Sequence, residues 1–318
     1  MVEHLTLNQG VQGSSPWRSM RGRRLALSGF VAFSLSLKIF LRELSSSTAI
    51  CFFIREVLMS QIFDTHAHYD DEAFDEDREE VLSLLAAYGV AKVCDIGAGI
   101  ESSRTALELS KRYDMMHCAL GVIPGKCSEI NEESWNWLCE AAEKEEKCVA
   151  IGEIGLDYHW DDDPRDVQAL HFVNQMDLAR KLGKPIVVHS RDAAKDTIDI
   201  MKAHKAGEIG GVLHCYSYTK ESAREFLDMG FYFGIGGVVT FKNARKLVEA
   251  VEYIPLSSIV LETDCPYLAP VPHRGERNWS GYLNLVAETI AGIKNITPEE
   301  VISATWHNAH SLYKLDES

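Results

Sequence analysis

From Ile62 onward the chain repeats one unit, a short apolar run followed by a longer amphipathic stretch, without a long linker. Runs that read as strands fall at about 62–68, 91–97, 115–122, 149–156, 185–190, 211–216, 231–236 and 259–263. Helical patterns lie between them, for example Asp75–Tyr88, Ile100–Tyr113, Glu132–Glu146, Asp166–Leu182, Ala193–His204 and Lys220–Met229. Eight strands alternating with helices over about 250 residues predict an α/β protein, a (β/α)8 barrel of the TIM type. An open doubly wound sheet is the structural alternative. The first strand-to-helix turn shows no Gly-x-Gly-x-x-Gly, so dinucleotide binding has no support. A final helix, from about Pro298 to Leu312, is expected to pack outside the barrel.

Barrel enzymes carry their catalytic residues at the C-terminal ends of the strands. In Ile62-Phe63-Asp64-Thr65-His66-Ala67-His68 the alternation puts His66 and His68 on the same strand face, as two side-by-side imidazoles. Alone, a His-x-His pair is weak evidence. The fourth strand brings Glu153 and Asp157, the fifth His189 and then Arg191, the sixth His214, and the eighth Glu262 and Asp264. A single His after an apolar run is more often a hydrogen-bonded structural residue. Four His, a Glu and an Asp spread over five strands point instead to a divalent metal centre, because imidazole and carboxylate suit zinc, manganese or a related ion. Burying so many ionisable groups with no cation would be costly.

Five ordered blocks resemble the TatD family of metal-dependent hydrolases, which belongs to the amidohydrolase-like barrels and is known mostly for deoxyribonucleases. The blocks are Asp64–His68, Gly152–Tyr158, Val188–Arg191, Leu213–Ser217 and Glu262–Leu268, and the likeness covers residues 61–315. It implies two divalent ions (magnesium, manganese or zinc), with His66, His68 and Asp264 holding one, His189 and His214 the other, and Glu153 bridging them. Asp264 is also the candidate proton acceptor, and Glu153 and Asp264 are the catalytic pair. Arg191, Tyr158, Arg274 and Arg277 are candidates for holding substrate, though Arg191 equally suits a structural ion pair and the loop 272–278 a solvated surface. Asp157 is placed to orient the ligands. The implied activity is hydrolysis of DNA phosphodiesters by metal-activated water. The alternative is amide or ester hydrolysis on the same barrel, for example of an aminoacyl ester. Two departures bear on substrate handling: Ile123 stands where the family pattern has His, and Trp279-Ser280 where it has Glu-Pro. Ordinary packing is the favoured role for Trp279, with base stacking as the alternative.

A net charge of −15 argues against a broad basic face for nucleic acid, so a DNA substrate would be gripped locally in a cleft. The eight cysteines are scattered singly, with no Cys-x-x-Cys, which fits buried free thiols in a reducing, cytoplasmic setting. No membrane association and no obligate protein partner are inferred. Residues 1–58 differ from the rest, with seven Lys/Arg against three Glu. Their Gly13-Ser14-Ser15-Pro16 looks like a translated tRNA gene, and Met59 offers a second start. The expected organisation is a non-native extension over 1–58, or a targeting segment as the alternative, ahead of one barrel over 59–318.

Overall fold

The structure is a computed structural model and describes residues 61–160 and 162–316. The expected 1–58 extension and the Met59 start lie outside the described residues. Eight parallel strands pair in chain order: β1 (Ile62–Ala67), β2 (Val90–Ile96), β3 (Met116–Leu120), β4 (Cys148–Asp157), β5 (Ile186–Arg191), β6 (Gly211–Leu213), β7 (Tyr232–Ile235) and β8 (Ile259–Leu261). Backbone bonds from Asp264 to His66 O (2.9 Å) and from His68 to Cys265 O (2.8 Å) bring the last strand round to the first. The expected TIM-type barrel is thereby formed.

The helices follow the apolar periodicity of the sequence. They are α1 (Arg78–Leu84), α2 (Ile100–Arg112), α3 (Glu132–Lys144), α4 (Arg165–Leu182), α5 (Ala194–Ala203), α6 (Lys220–Asp228), α7 (Arg245–Tyr253), α8 (Leu283–Lys294) and α9 (Pro298–Tyr313). Local chemistry sets several of their ends. Asn131 and Ser134 form a reciprocal capping box at the start of α3, as do Thr297 and Glu300 at α9, where Pro298 occupies the first turn. Asp71 accepts the N–H of Ala73 in a 3-10 turn, so the first regular helix starts at Arg78 rather than Asp75.

Helix α9 does not join the outer ring; it closes the end of the barrel where the strands begin. Its Ala309, Leu312 and Tyr313 pack in one cluster with Phe63, Cys94, Ala119, Val149, Val187, Val212 and Val260. The Tyr313 hydroxyl donates to Thr65 O at 2.6 Å, which removes the cost of burying it. With that end filled, only the opposite mouth is available for chemistry.

Strands β6 and β8 stop at Leu213 and Leu261, short of the expected 216 and 263. Cys215 and Asp264 adopt left-handed backbone, with φ of 47° and 56°, and their N–H groups turn to new partners. That of Cys215 goes to Glu262 Oε1 and that of Asp264 to His66 O. The departures turn the adjoining side chains into the mouth. Among the described residues, no helix is long and apolar enough to cross a membrane. Seven described cysteines are free, five of them buried; Cys51 lies outside the described residues.

Candidate metal centre

The structure brings the six residues expected as ligands together at the strands' C-terminal mouth. His66 Nε2 and His68 Nε2 point at a common space, 3.1 Å apart. Glu153 Oε2 lies 3.5 Å from His66 Nε2 and 3.8 Å from His68 Nε2, while Asp264 Oδ1 lies 3.7 and 3.3 Å from the same two atoms. Four ligands about 2.0–2.1 Å from a tetrahedral ion stand about 3.3 Å from one another. The spacing therefore fits a divalent ion. Glu153 sends its other oxygen the opposite way: Oε1 is 2.6 Å from His189 Nδ1 and 3.4 Å from His214 Nε2. One carboxylate thus faces two pairs of imidazoles, one through each oxygen.

For His68 and His189, outer contacts set which nitrogen faces inward. His68 Nδ1 meets Ile96 O at 2.8 Å, so that nitrogen carries the proton and Nε2 presents its lone pair. His189 Nε2 meets Asp157 Oδ2 at 2.9 Å, which turns the Nδ1 lone pair toward Glu153. Two acceptors 2.6 Å apart repel unless a proton or a cation lies between them. Protons take that place when no ion is bound. Burial opposes charge on His68 and His189, yet Asp264, Asp70 and Glu153 around the first, and Asp157 and Glu153 around the second, raise each to about 10. Burial likewise works to raise Glu153, but the charges of His214 and His189 hold it well below the usual carboxylate range. His66 goes the other way: burial, then the charge of His214 stacked 3.6 Å away, lowers it.

Three supporting residues escaped the sequence reading as such. Glu262, 1 % exposed, accepts the N–H of Cys215 at 2.5 Å and sits 3.4 Å from His214 Nδ1, on the side of the ring away from Glu153. Its space exists because residue 234 is Gly; a Cβ there would come within 1.9 Å of Glu262 Oε2. Asp64, fully buried, accepts from Thr263 N and Oγ1 (3.0 and 2.6 Å) and from Ser280 Oγ (2.6 Å), tying β1 to the segment after β8. Burial pushes Asp64 up to about 7 despite those bonds. Ser280, one of the departures from the family pattern, also donates its backbone N–H to the Tyr69 hydroxyl (3.1 Å), which proline could not. The available signal was positional: Asp64 precedes His66 by two residues, and Glu262 follows a buried apolar run.

The residues expected to hold substrate are more scattered. Arg277 is committed elsewhere, with its two terminal nitrogens 2.8 and 2.7 Å from the Asp77 carboxylate and its guanidinium over Phe74. The Tyr158 hydroxyl donates to Asp196 on α5, and Arg165 covers its ring. Arg274 lies over Phe241. Trp279 is buried against Tyr88 and Tyr282, as the packing reading expected. Arg191 is exposed at the end of β5, two residues beyond His189.

A family profile described as "TatD related DNase" matches residues 63–314. The chain belongs to the TatD family of metal-dependent hydrolases. It is 43 % identical over 255 residues to the uncharacterized metal-dependent hydrolase YabD of Bacillus subtilis, covering 80 % of this chain and all of that one. To YcfH of Escherichia coli K12, described in the same words, it is 36 % identical over 261 residues, covering 81 % and 97 %. Among solved structures, the TatD homolog YjjV from Escherichia coli superposes with a TM-score of 0.77 at 29 % identity, covering 81 % of this chain and all of that chain. The cluster at the mouth is accordingly the candidate active site of a TatD-family metal-dependent hydrolase.

Proposed function

We propose that this hydrolase cleaves DNA phosphodiesters with two divalent cations held by His66, His68, Asp264, His189, His214 and a bridging Glu153. The observation that carries the reading is the division of Glu153, with Oε2 facing the first pair of histidines and Oε1 facing the second. Divalent ions in such a pair of sites would lower the pKa of attacking water and offset charge developing on a phosphoryl group. The chain's own contribution is positioning. His68 and His189 are locked in rotation by Ile96 O and Asp157, and Glu153 fixes the separation of the two sets. Asp264 is more exposed than Glu153, His66 or His68. Burial works to raise its carboxyl, but the charges of His214 and His68 keep it lowered, so it stands ionised at the mouth. It is the group we assign to accept the proton of the attacking water.

The test is nucleotide release from a single-stranded oligonucleotide by the full chain, first stripped of metal and then supplied with magnesium, manganese or zinc. Metal-dependent release is expected, with about two equivalents bound. Glu153→Ala is expected to abolish turnover and to lower bound metal, read by elemental analysis. Folded protein that binds metal and leaves DNA intact would overturn the phosphodiesterase reading. It would favour amide or ester hydrolysis, the outcome that the apolar Ile123 beyond β3 makes worth assaying.

A further inference from the structure

The chain between β4 and α4 leaves the metal centre under tight control and then exposes a large aromatic ring. The Asp157 carboxylate that meets His189 through Oδ2 also accepts, through Oδ1, the backbone N–H groups of His159 (2.8 Å) and Trp160 (3.1 Å). The backbone of Trp160 is therefore tied to a cluster histidine through a single carboxylate. Its side chain is 63 % exposed, more than that of any other large hydrophobic residue described. The His159 ring meets it edge-on at 5.0 Å and leans on Asp192. A lone exposed indole means little. Over this one, however, lies the guanidinium of Arg191, 5.6 Å from the ring centroid, with no ion pair or side-chain hydrogen bond to any described residue. An exposed flat ring on an anchored backbone and the cation that lies over it share one edge of the mouth.

We propose that Trp160 and Arg191 form a nucleotide subsite, the base stacking on the indole and its phosphate meeting the guanidinium. This proposal rests on the phosphodiesterase reading above and extends it to a substrate contact. The pairing suits a nucleotide because aromatic ring and anion recur together along a strand. A free phosphate would also face the carboxylates of Asp192 and Asp196 nearby. Stacking therefore supplies most of the grip, and it requires a base that is unpaired and splayed out. The subsite thus takes single-stranded ends without regard to sequence, since every base has a face to offer.

The experiment measures kcat and KM of the manganese-loaded full chain on a fluorescent single-stranded oligonucleotide and on an abasic oligomer of the same length. Trp160→Ala is expected to raise KM on the normal strand about 5- to 150-fold with little change in kcat, and to leave KM on the abasic oligomer unchanged. Trp160→Phe, which can still stack, should recover most of the loss. Arg191→Ala should reduce the dependence of KM on salt by roughly one phosphate contact. Circular dichroism confirms folding, which the exposed side chain does not control. Wild-type cleavage with unchanged KM in Trp160→Ala overturns the subsite and leaves the phosphodiesterase reading standing. Equal losses on normal and abasic strands also overturn it. A wild-type enzyme that releases no nucleotide with any metal overturns both.

Discussion

Glu262 shows how much of the candidate centre depends on side chains that never face substrate. A carboxylate behind a ligating imidazole fixes the ring and raises its basicity, and its loss typically costs 10–100-fold in metal affinity. Glu262→Ala should therefore weaken manganese binding by roughly that factor, with Glu262→Gln intermediate, as read by calorimetric titration. A second prediction concerns protons. His68 and His189 are raised to about 10, so near neutral pH both are protonated in the metal-free protein. A cation must displace those protons, and binding strengthens as pH rises toward that value. The apparent Kd for manganese should fall steadily between about pH 6 and 9, and titrations in buffers of different ionisation enthalpy should register proton release. A pH-independent Kd would contradict the proton-filled geometry. At this scale the ligands were legible in the sequence because each follows an apolar run. The fate of Arg277 was not: its partner Asp77 lies 200 residues away, and nothing local announces the pairing.

The strands place those side chains only where the backbone permits close approach. Gly155, between Glu153 and Asp157 on β4, has φ near +145°, and a Cβ there would come within 1.9 Å of His189 O. Gly155→Ala should cost about 1–3 kcal/mol in backbone strain alone, and the clash would push β5 away from Glu153. Urea unfolding should show the loss of stability, and elemental analysis a fall in bound metal beyond what the unfolded fraction explains. The order and approximate length of the elements could be read from apolar periodicity. The ends of β6 and β8 could not: nothing in Cys announces the left-handed turn at Cys215, whose N–H is drawn to Glu262 far along the chain, and Asp264, though Asp tolerates that conformation, directly follows an apolar strand run. The same strand pattern over-read their lengths and still located the right side chains, since the site begins where the ladder gives out.

For the barrel as a whole, stability and chemistry are assigned to opposite ends. Leu312 on α9 lies in the apolar plug with Phe63, Val187 and Val260. Leu312→Ala should destabilise the protein by about 2–5 kcal/mol, read by denaturant titration, while metal-dependent turnover per folded molecule stays at the wild-type level. Sequence periodicity placed this helix without revealing that it fills the barrel's end, because an amphipathic pattern names a buried face and not what covers it. The first and last strands meet at the mouth, and the first cluster draws His66 and His68 from one and Asp264 from beyond the other. Residues 66 and 263, which share a hydrogen bond there, stand 197 positions apart. A chain emerging from the ribosome therefore carries its first histidines long before their carboxylate partner exists. Until the final strand docks, the nascent protein has no complete centre with which to hydrolyse anything around it.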